Sequence, residues 1–512
     1  MKTLSNRICG FLLPLLLLLT LPALLQAQFI FTTNNGTITI TGFTGSGAVV
    51  IPDTTNGYPV TVIAGDKGVF SSSAVTSVTI PNSVTTIGAF TFSSCTKLTN
   101  IVIPDSVVIV GSQAFSFCSS LTNAAFGSNV TSVGDAVFRA CNNLIAITVS
   151  ALNTNYSSVA GVLFNKNQTA LVAYPPGQNG SYAIPGNVTS IGETAFETCA
   201  GLKGITLPNS VTNIGLSAFD SCSALTNLII PPGVASIGED AFYNCTSLSH
   251  MTIPNSVTNL GIYALESCVN LTNVTIGTGL TSIPDYLFYN CASLTTVTFG
   301  SGVTNIGYSA FGNCISLTNI TLPKTITCIG FGAFADSCLI SIVIPNTVTS
   351  IGEAAFWSCP RLTSVTIPNS VTSIGGSAFY YCTSLTSIYF QGNAPSVDGS
   401  VFESDNNVTA YYLPGTAGWD VFSADTDVPT ALWLLPNPVI LNNVPSFRVQ
   451  TNGFGFTISW ATNISIVVEA STNLANPVWQ PVQTNTLVNG TAYFSDSQWT
   501  NSPARYYRLR SP

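Results

Sequence analysis

Cysteine recurs along this chain with a constant period of 23: Cys199, Cys222, Cys245, Cys268, Cys291 and Cys314 keep that step, and Cys95, Cys118 and Cys141 keep it upstream. Cys359 and Cys382 continue the row downstream, and a phenylalanine stands three residues before nearly every one, from Phe92 to Phe379, with Leu265 as its one substitute. Around both markers the pattern I-P-N-S-V-T-x-I-G-x-x-A-F-x-x-C-x-x-L-T repeats from about residue 76 to residue 390. A period of this length belongs to units too small to bury an apolar face alone, so each must be covered by its neighbours. The chain is therefore expected to be a repeat solenoid.

Within one unit, Leu362-Thr363-Ser364-Val365-Thr366-Ile367 alternates apolar and polar residues and reads as a short strand stopped by Pro368. A second extended piece, Val371-Thr372-Ser373-Ile374, leads through Gly375 to a tight turn or one-turn helix carrying Ala378 and Phe379. Stacked copies place the Leu, Val, Ile, Phe and Cys positions in continuous inward columns, with parallel strands about 4.8 Å apart. Roughly a dozen to fifteen such coils are expected. Pro284 shares the slot of the repeat glycine, and because proline fixes φ at about −65° the slot cannot require positive φ. Close approach of coils, or simply a turn, is left to select glycine. The step breaks twice. Cys141 and Cys199 are 58 apart, and residues 142–192 read as longer coils inside the same solenoid. Phe334 and Phe356 are 22 apart, and Cys338 follows Ser337 instead of occupying the ladder position.

The two ends depart from the period. Lys2, Arg7 and the apolar run from Phe11 to Leu25 predict a signal peptide over 1–27, too short a run to span a bilayer. Residues 28–75 read as a β-rich capping unit and 391–435 as a C-terminal one, which an open solenoid end needs. From 436 to 512, alternation at Phe454, Phe456, Ile458 and Trp460 and at Ile466, Val468 and Ala470 suggests a small β-sandwich. The closing Tyr506-Tyr507-Arg508-Leu509-Arg510 is similar to a late strand of fibronectin type III domains. The fold class is thus a mainly β solenoid with short helical or 3-10 turns, plus that sandwich.

The consensus I-P-x-S-V-T-x-I-G-x-x-A-F-x-x-C-x-x-L resembles the BspA-type leucine-rich repeat family. Gly161-Val162-Leu163-Phe164, Tyr174-Pro175 and Ile184-Pro185 are similar to the longer coil found within those arrays. The resemblance covers roughly 28–430 and implies a secreted or cell-surface bacterial protein with adhesion or partner binding as its role. It implies no catalytic residue and no particular target, since the pattern consists of core positions.

The residues themselves point away from chemistry. Only 7% are charged, and 13 basic residues face 21 acidic ones, so nucleic acid and anionic lipid are poor partners and no membrane insertion is expected after signal cleavage. Of 14 cysteines, Cys9 falls in the leader, leaving an odd number; a column of small buried thiols is the expected arrangement. No C-x-x-C occurs, and His250 is the only imidazole, so no metal, cofactor or catalytic set is assigned. Glu197 and Asp220, on neighbouring coils, come nearest to a glycosidase-like carboxylate pair, but solvated surface charge is the expected role of both.

Recognition of an extracellular protein or glycan is therefore the leading function, ahead of a carbohydrate-active enzyme or its accessory module, and of a structural surface-layer component. The position after the ladder Phe varies from coil to coil, reading Glu197, Asp220, Tyr243, Glu266, Tyr289, Gly312, Ala335, Trp357 and Tyr380, which marks a surface column. Exposed aromatics there suit binding, so Tyr243, Tyr289, Trp357 and Tyr380 are the candidate partner-binding residues, with Tyr263 and Tyr381 from the same turns.

Overall fold

The computed structural model describes residues 28–65, 68–405, 407–433, 438–441, 447–450, 453–460, 464–501 and 504–510; the expected leader lies outside them. They form a β-solenoid of about 17 turns followed by a small pair of sheets. The solenoid divides into two compact units, one of residues 28–249 with 259–268 and one that begins with 250–258 and resumes at 269. Among the described residues no helix is long and apolar enough to cross a membrane.

Most coils have two short strands, and these pair in parallel with the same positions of the coils beside them. In Ser364–Ile367 the residues Val365 and Ile367 are buried and Ser364 and Thr366 face outward. The pairing of Val365 with Ile388 and Ile367 with Phe390 carries the inward columns across. The second strands, such as Ser350–Ile351 and Ser373–Ile374, pair in the same way. A one-residue slip would turn every apolar side chain outward, so the alternation itself sets the register.

The third corner of each coil is a turn, not a helix. The residues two before and two after the ladder Phe take left-handed φ, for example Ala354 at 53° and Ser358 at 55° around Phe356. Three residues of negative φ separate the two left-handed ones, and the N–H groups of the first, third and fifth residues of the turn point to the next coil. Ala354, Phe356 and Ser358 accordingly donate to the carbonyls of Gly376, Ala378 and Tyr380 on the next coil at 2.8–2.9 Å. Left-handed backbone costs about 1 to 2 kcal/mol at a residue with a side chain, and this hydrogen-bonded ladder offsets it. Inside, the rings stack: Phe311 on Phe334 at 5.4 Å, Phe334 on Phe356 at 5.5 Å and Phe356 on Phe379 at 5.2 Å, all within 9° of parallel.

The cysteine column lies beside these rings. The thirteen cysteines from Cys95 to Cys382 are free thiols. Along the ladder most donate to the carbonyl of the preceding ladder Phe, as Cys118 does to Phe92 and Cys222 to Phe196, both at 3.1 Å. Where Cys338 falls out of register, Ser337 fills the column, with its Oγ 3.3 Å from the sulfur of Cys359. The repeat glycines answer to close approach, as the proline in the same slot requires: a Cβ on Gly352 would lie 2.6 Å from the backbone carbon of Gly330, and one on Gly215 2.7 Å from the nitrogen of Glu193.

The long segment after Cys141 builds an antiparallel excursion, Tyr156–Val159, Val162–Asn165 and Ala170–Ala173, whose last strand rejoins the parallel sheet at Ser190–Ile191. Tyr174 then takes the ladder position, its ring 4.9 Å from that of Phe196. Both ends are built from further coils, so the turns outnumber the dozen to fifteen expected. Thr37–Phe43 pairs in parallel with Tyr58–Ile63, and Thr430–Leu432 continues the sheet beyond Thr409–Tyr412. Between those last two strands, the helix Trp419–Thr426 lays Trp419 and Phe422 against Phe390.

The C-terminal strands form two antiparallel sheets. One joins Val439–Leu441, Arg448–Gln450 and Thr491–Asp496 to the central Gly453–Ser459; the other joins Gln480–Thr486 and Tyr506–Arg510 to Ser465–Ser471. Phe456, Ile458, Ile466, Val468, Leu487 and Phe494 are their shared core.

Candidate functional site

With the ladder Phe pointing inward, the next residue of each turn points away from the spine. In the second unit Trp357 is 37% exposed and stacks on Tyr380, ring centroids 6.2 Å apart and planes 6° from parallel. Tyr381, with left-handed φ of 61°, is 53% exposed and stands 6.2 Å from Tyr380. Tyr289 is exposed and packs edge-on against Tyr286 at 5.7 Å. Tyr243 and Tyr263 are half-buried and belong to the first unit. Burial, with the carboxylates of Glu266, Asp220 and Asp240, pushes the Tyr243 hydroxyl above its ordinary value. The six candidates thus include one contiguous cluster, Trp357, Tyr380 and Tyr381.

A second aromatic row was missed by reading only one column. Tyr308 and Phe331, each three residues before its ladder Phe, stack at 4.5 Å and 8°, and Tyr286 joins them 4.9 Å from Tyr308. The position before the turn varies as much as the one after it, holding Leu216, Glu239, Ile262, Tyr308, Phe331 and Glu353, and that variation was the available signal. Both rows stack ring on ring along the direction in which coils repeat. Faces inside a row are therefore taken by neighbours, and only edges, hydroxyls and end faces meet solvent.

The carboxylates correct the sequence reading. Glu197 is only 5% exposed, and its Oε1 lies 3.0 Å from Nη1 of Arg139. Arg139 holds the same column position on the coil of Phe138, before the excursion, and the outward path of the chain between them brings these two coils face to face. Burial pushes the Glu197 carboxyl up to about 7, Arg139 pulls it down and Asp220 pushes it further up. Burial also raises Asp220, which accepts the Ser221 hydroxyl at 2.8 Å. A cavity of about 180 Å³ lies beside the ion pair, lined by Arg139, Glu197, Thr194 and Tyr174 among others. Among the described residues no group of three or more His, Cys, Asp or Glu side chains could hold a metal ion.

A scan of family models matches residues 66–171, 178–295 and 281–409 to the BspA type leucine rich repeat region, in six copies. The chain belongs to that family. A comparison with curated proteins finds no match. Among solved structures it is similar to a leucine rich cell surface protein from Faecalibacterium prausnitzii, at 27% identity over 72% of this chain and 94% of that one, TM-score 0.41. It is also similar to leucine-rich repeat proteins from Bacteroides ovatus, at 23% identity over 75% and 97% with TM-score 0.43, and from Eubacterium ventriosum, at 24% over 63% and 90% with TM-score 0.42.

Proposed function

We propose that this protein is an extracellular recognition protein that binds a protein or glycan partner through the turn face of its repeats, without catalysing a reaction. One observation carries the reading: the exposed rings of Trp357 and Tyr381 flank the half-buried Tyr380 in one cluster beside a ladder that is otherwise regular and buried. Large rings left in water cost solvation, and Trp and Tyr are enriched where binding energy concentrates. Family membership supports a repeat-based surface role, and the leader read from 1–27 supports export. Trp357→Ala and Tyr380→Ala should each weaken binding of a partner recovered from surface-protein pull-down or a glycan array by more than about 1 kcal/mol, with the melting temperature nearly unchanged. Undiminished affinity in both variants would move the site to the Thr and Asn rows of the strand face.

A further inference from the structure

In the second unit the turns stack rung upon rung, so a rung without a ring is a defined space. The column after the ladder Phe holds Tyr289, Gly312, Ala335, Trp357 and Tyr380 on successive coils. Tyr289 leans over Gly312, where a Cβ would meet its Cδ2 at 2.9 Å, and Gly312 is buried. Ala335 is left half-exposed. Tyr380 stands against one side of Trp357, which is still 37% exposed. Coils advance by about 4.8 Å, so the level of Ala335 is one rung from Trp357 and one rung from the level that Tyr289 covers. A ring lying over Ala335 would stack as the protein's own rings do.

The rim defines what such a ring carries. Phe331 comes from the same turn, and Asp336, adjacent to Ala335, is exposed. Asn313, from the preceding turn, donates through Nδ2 to Oδ1 of Asn290 at 2.9 Å, which leaves its own carbonyl oxygen oriented by that bond. The five turns 284–291, 307–314, 330–337, 352–359 and 375–382 carry Asp285, Asp336 and Glu353 and no Lys or Arg. Phosphate, sulfate and uronate groups are repelled there, whereas a hydroxyl donates to a carboxylate in a charge-assisted bond. A neutral pyranose combines an apolar C–H face with a ring of hydroxyls. We propose that the open rung over Ala335 binds one sugar ring of a neutral glycan chain, with Trp357 as its stacking platform and Asp336 accepting from its hydroxyls. This names a ligand for the surface proposed above and rests on that reading.

The test is calorimetric titration of the chain from residue 28 onward with cellohexaose, xylohexaose and mannohexaose, with hexagalacturonate as the acidic comparator. At least one neutral hexamer should bind and hexagalacturonate should not. Ala335→Trp, which fills the rung with the protein's own ring, should lower that affinity about tenfold or more, as should Trp357→Ala, while melting temperatures stay close to the parent. Ala335→Phe repeats the test if the larger ring disturbs folding. Binding of none of the neutral hexamers, or full affinity in the Ala335 variants, overturns the glycan assignment. A protein partner that is lost in Trp357→Ala but kept in Ala335→Trp would overturn it too, while leaving recognition on this surface in place. Absence of any partner sensitive to Trp357→Ala would instead sink the broader reading.

Discussion

Coils one period apart and coils separated by the excursion are joined by different chemistry. Between the turns of Phe311 and Phe334 the hydrogen bonds are made by the backbone: Ser309, Phe311 and Asn313 donate to Phe331, Ala333 and Ala335 at 2.8 Å. Between the turns of Phe138 and Phe196 side chains do that work. Ala136 and Ala140 donate to the hydroxyls of Thr194 and Thr198 at 2.7 Å, and Arg139 pairs with Glu197. A backbone ladder needs the next coil at the right height, and where the long segment displaces it, threonine hydroxyls and a half-buried charge pair span the difference. Periodic positions hold the fold; aperiodic ones are free to do something else, and only at the junction has that freedom been turned back to structure.

The largest effect is therefore expected at the junction. Arg139→Ala leaves a carboxyl that is 5% exposed without its cation; because burial already holds that carboxyl up to about 7, the loss in urea titration should be small at pH 6, where the group is protonated, and grow to about 3 kcal/mol at pH 9. Adding Glu197→Gln should recover much of the loss, because the uncompensated charge is then gone. A single variant indistinguishable from the parent at pH 9 would mean that the ion pair is incidental and that the threonine bridges suffice.

A smaller effect belongs to the last rung. Asp405 stands three residues after Phe402, where other coils carry the ladder cysteine, and it is 7% exposed with neither carboxylate oxygen hydrogen-bonded. A thiol there can donate to the preceding carbonyl; an ionised carboxylate cannot. Burial pushes its carboxyl from 3.8 up to about 7, opposed by the backbone of Cys382. Because the folded value lies above the unfolded one, the stabilising contribution is complete below about pH 4 and lost as pH rises through 7, by at most about 4 kcal/mol. Asp405→Asn should melt above the parent at pH 8 and level with it at pH 4. Parallel melting curves for both proteins across that range would contradict the burial of a charge at this end.

These two sites also mark what the sequence could and could not convey. Strands, inward columns, the cysteine ladder and the surface placement of Trp357 and Tyr381 followed from the period alone, because a residue's role repeats with its phase. Glu197 did not, since its partner Arg139 stands on the far side of the long segment and meets it only once residues 156–178 have folded outward. The left-handed residues flanking each ladder Phe were equally hidden. Asn244, Asn290, Asn313 and Asp336 suit that backbone, but Phe117, Tyr263 and Tyr381 occupy it too, so no single residue type announces it. Tyr308 and Phe331 share a variable column, and Tyr286, from the next position along its turn, joined them only when stacking distances were known.

Phe356 and Trp357 are neighbours in the chain, one in the periodic column and buried, the other beside it and 37% exposed. Urea titration of Phe356→Ala and Trp357→Ala in the chain from residue 28 onward tests directly whether stability and recognition divide along that line. Phe356→Ala should lose about 3 to 5 kcal/mol through the cavity it leaves in the ring stack, and Trp357→Ala should stay within about 1 kcal/mol of the parent. Equal losses in the two variants would contradict the division and make the outer column part of the fold.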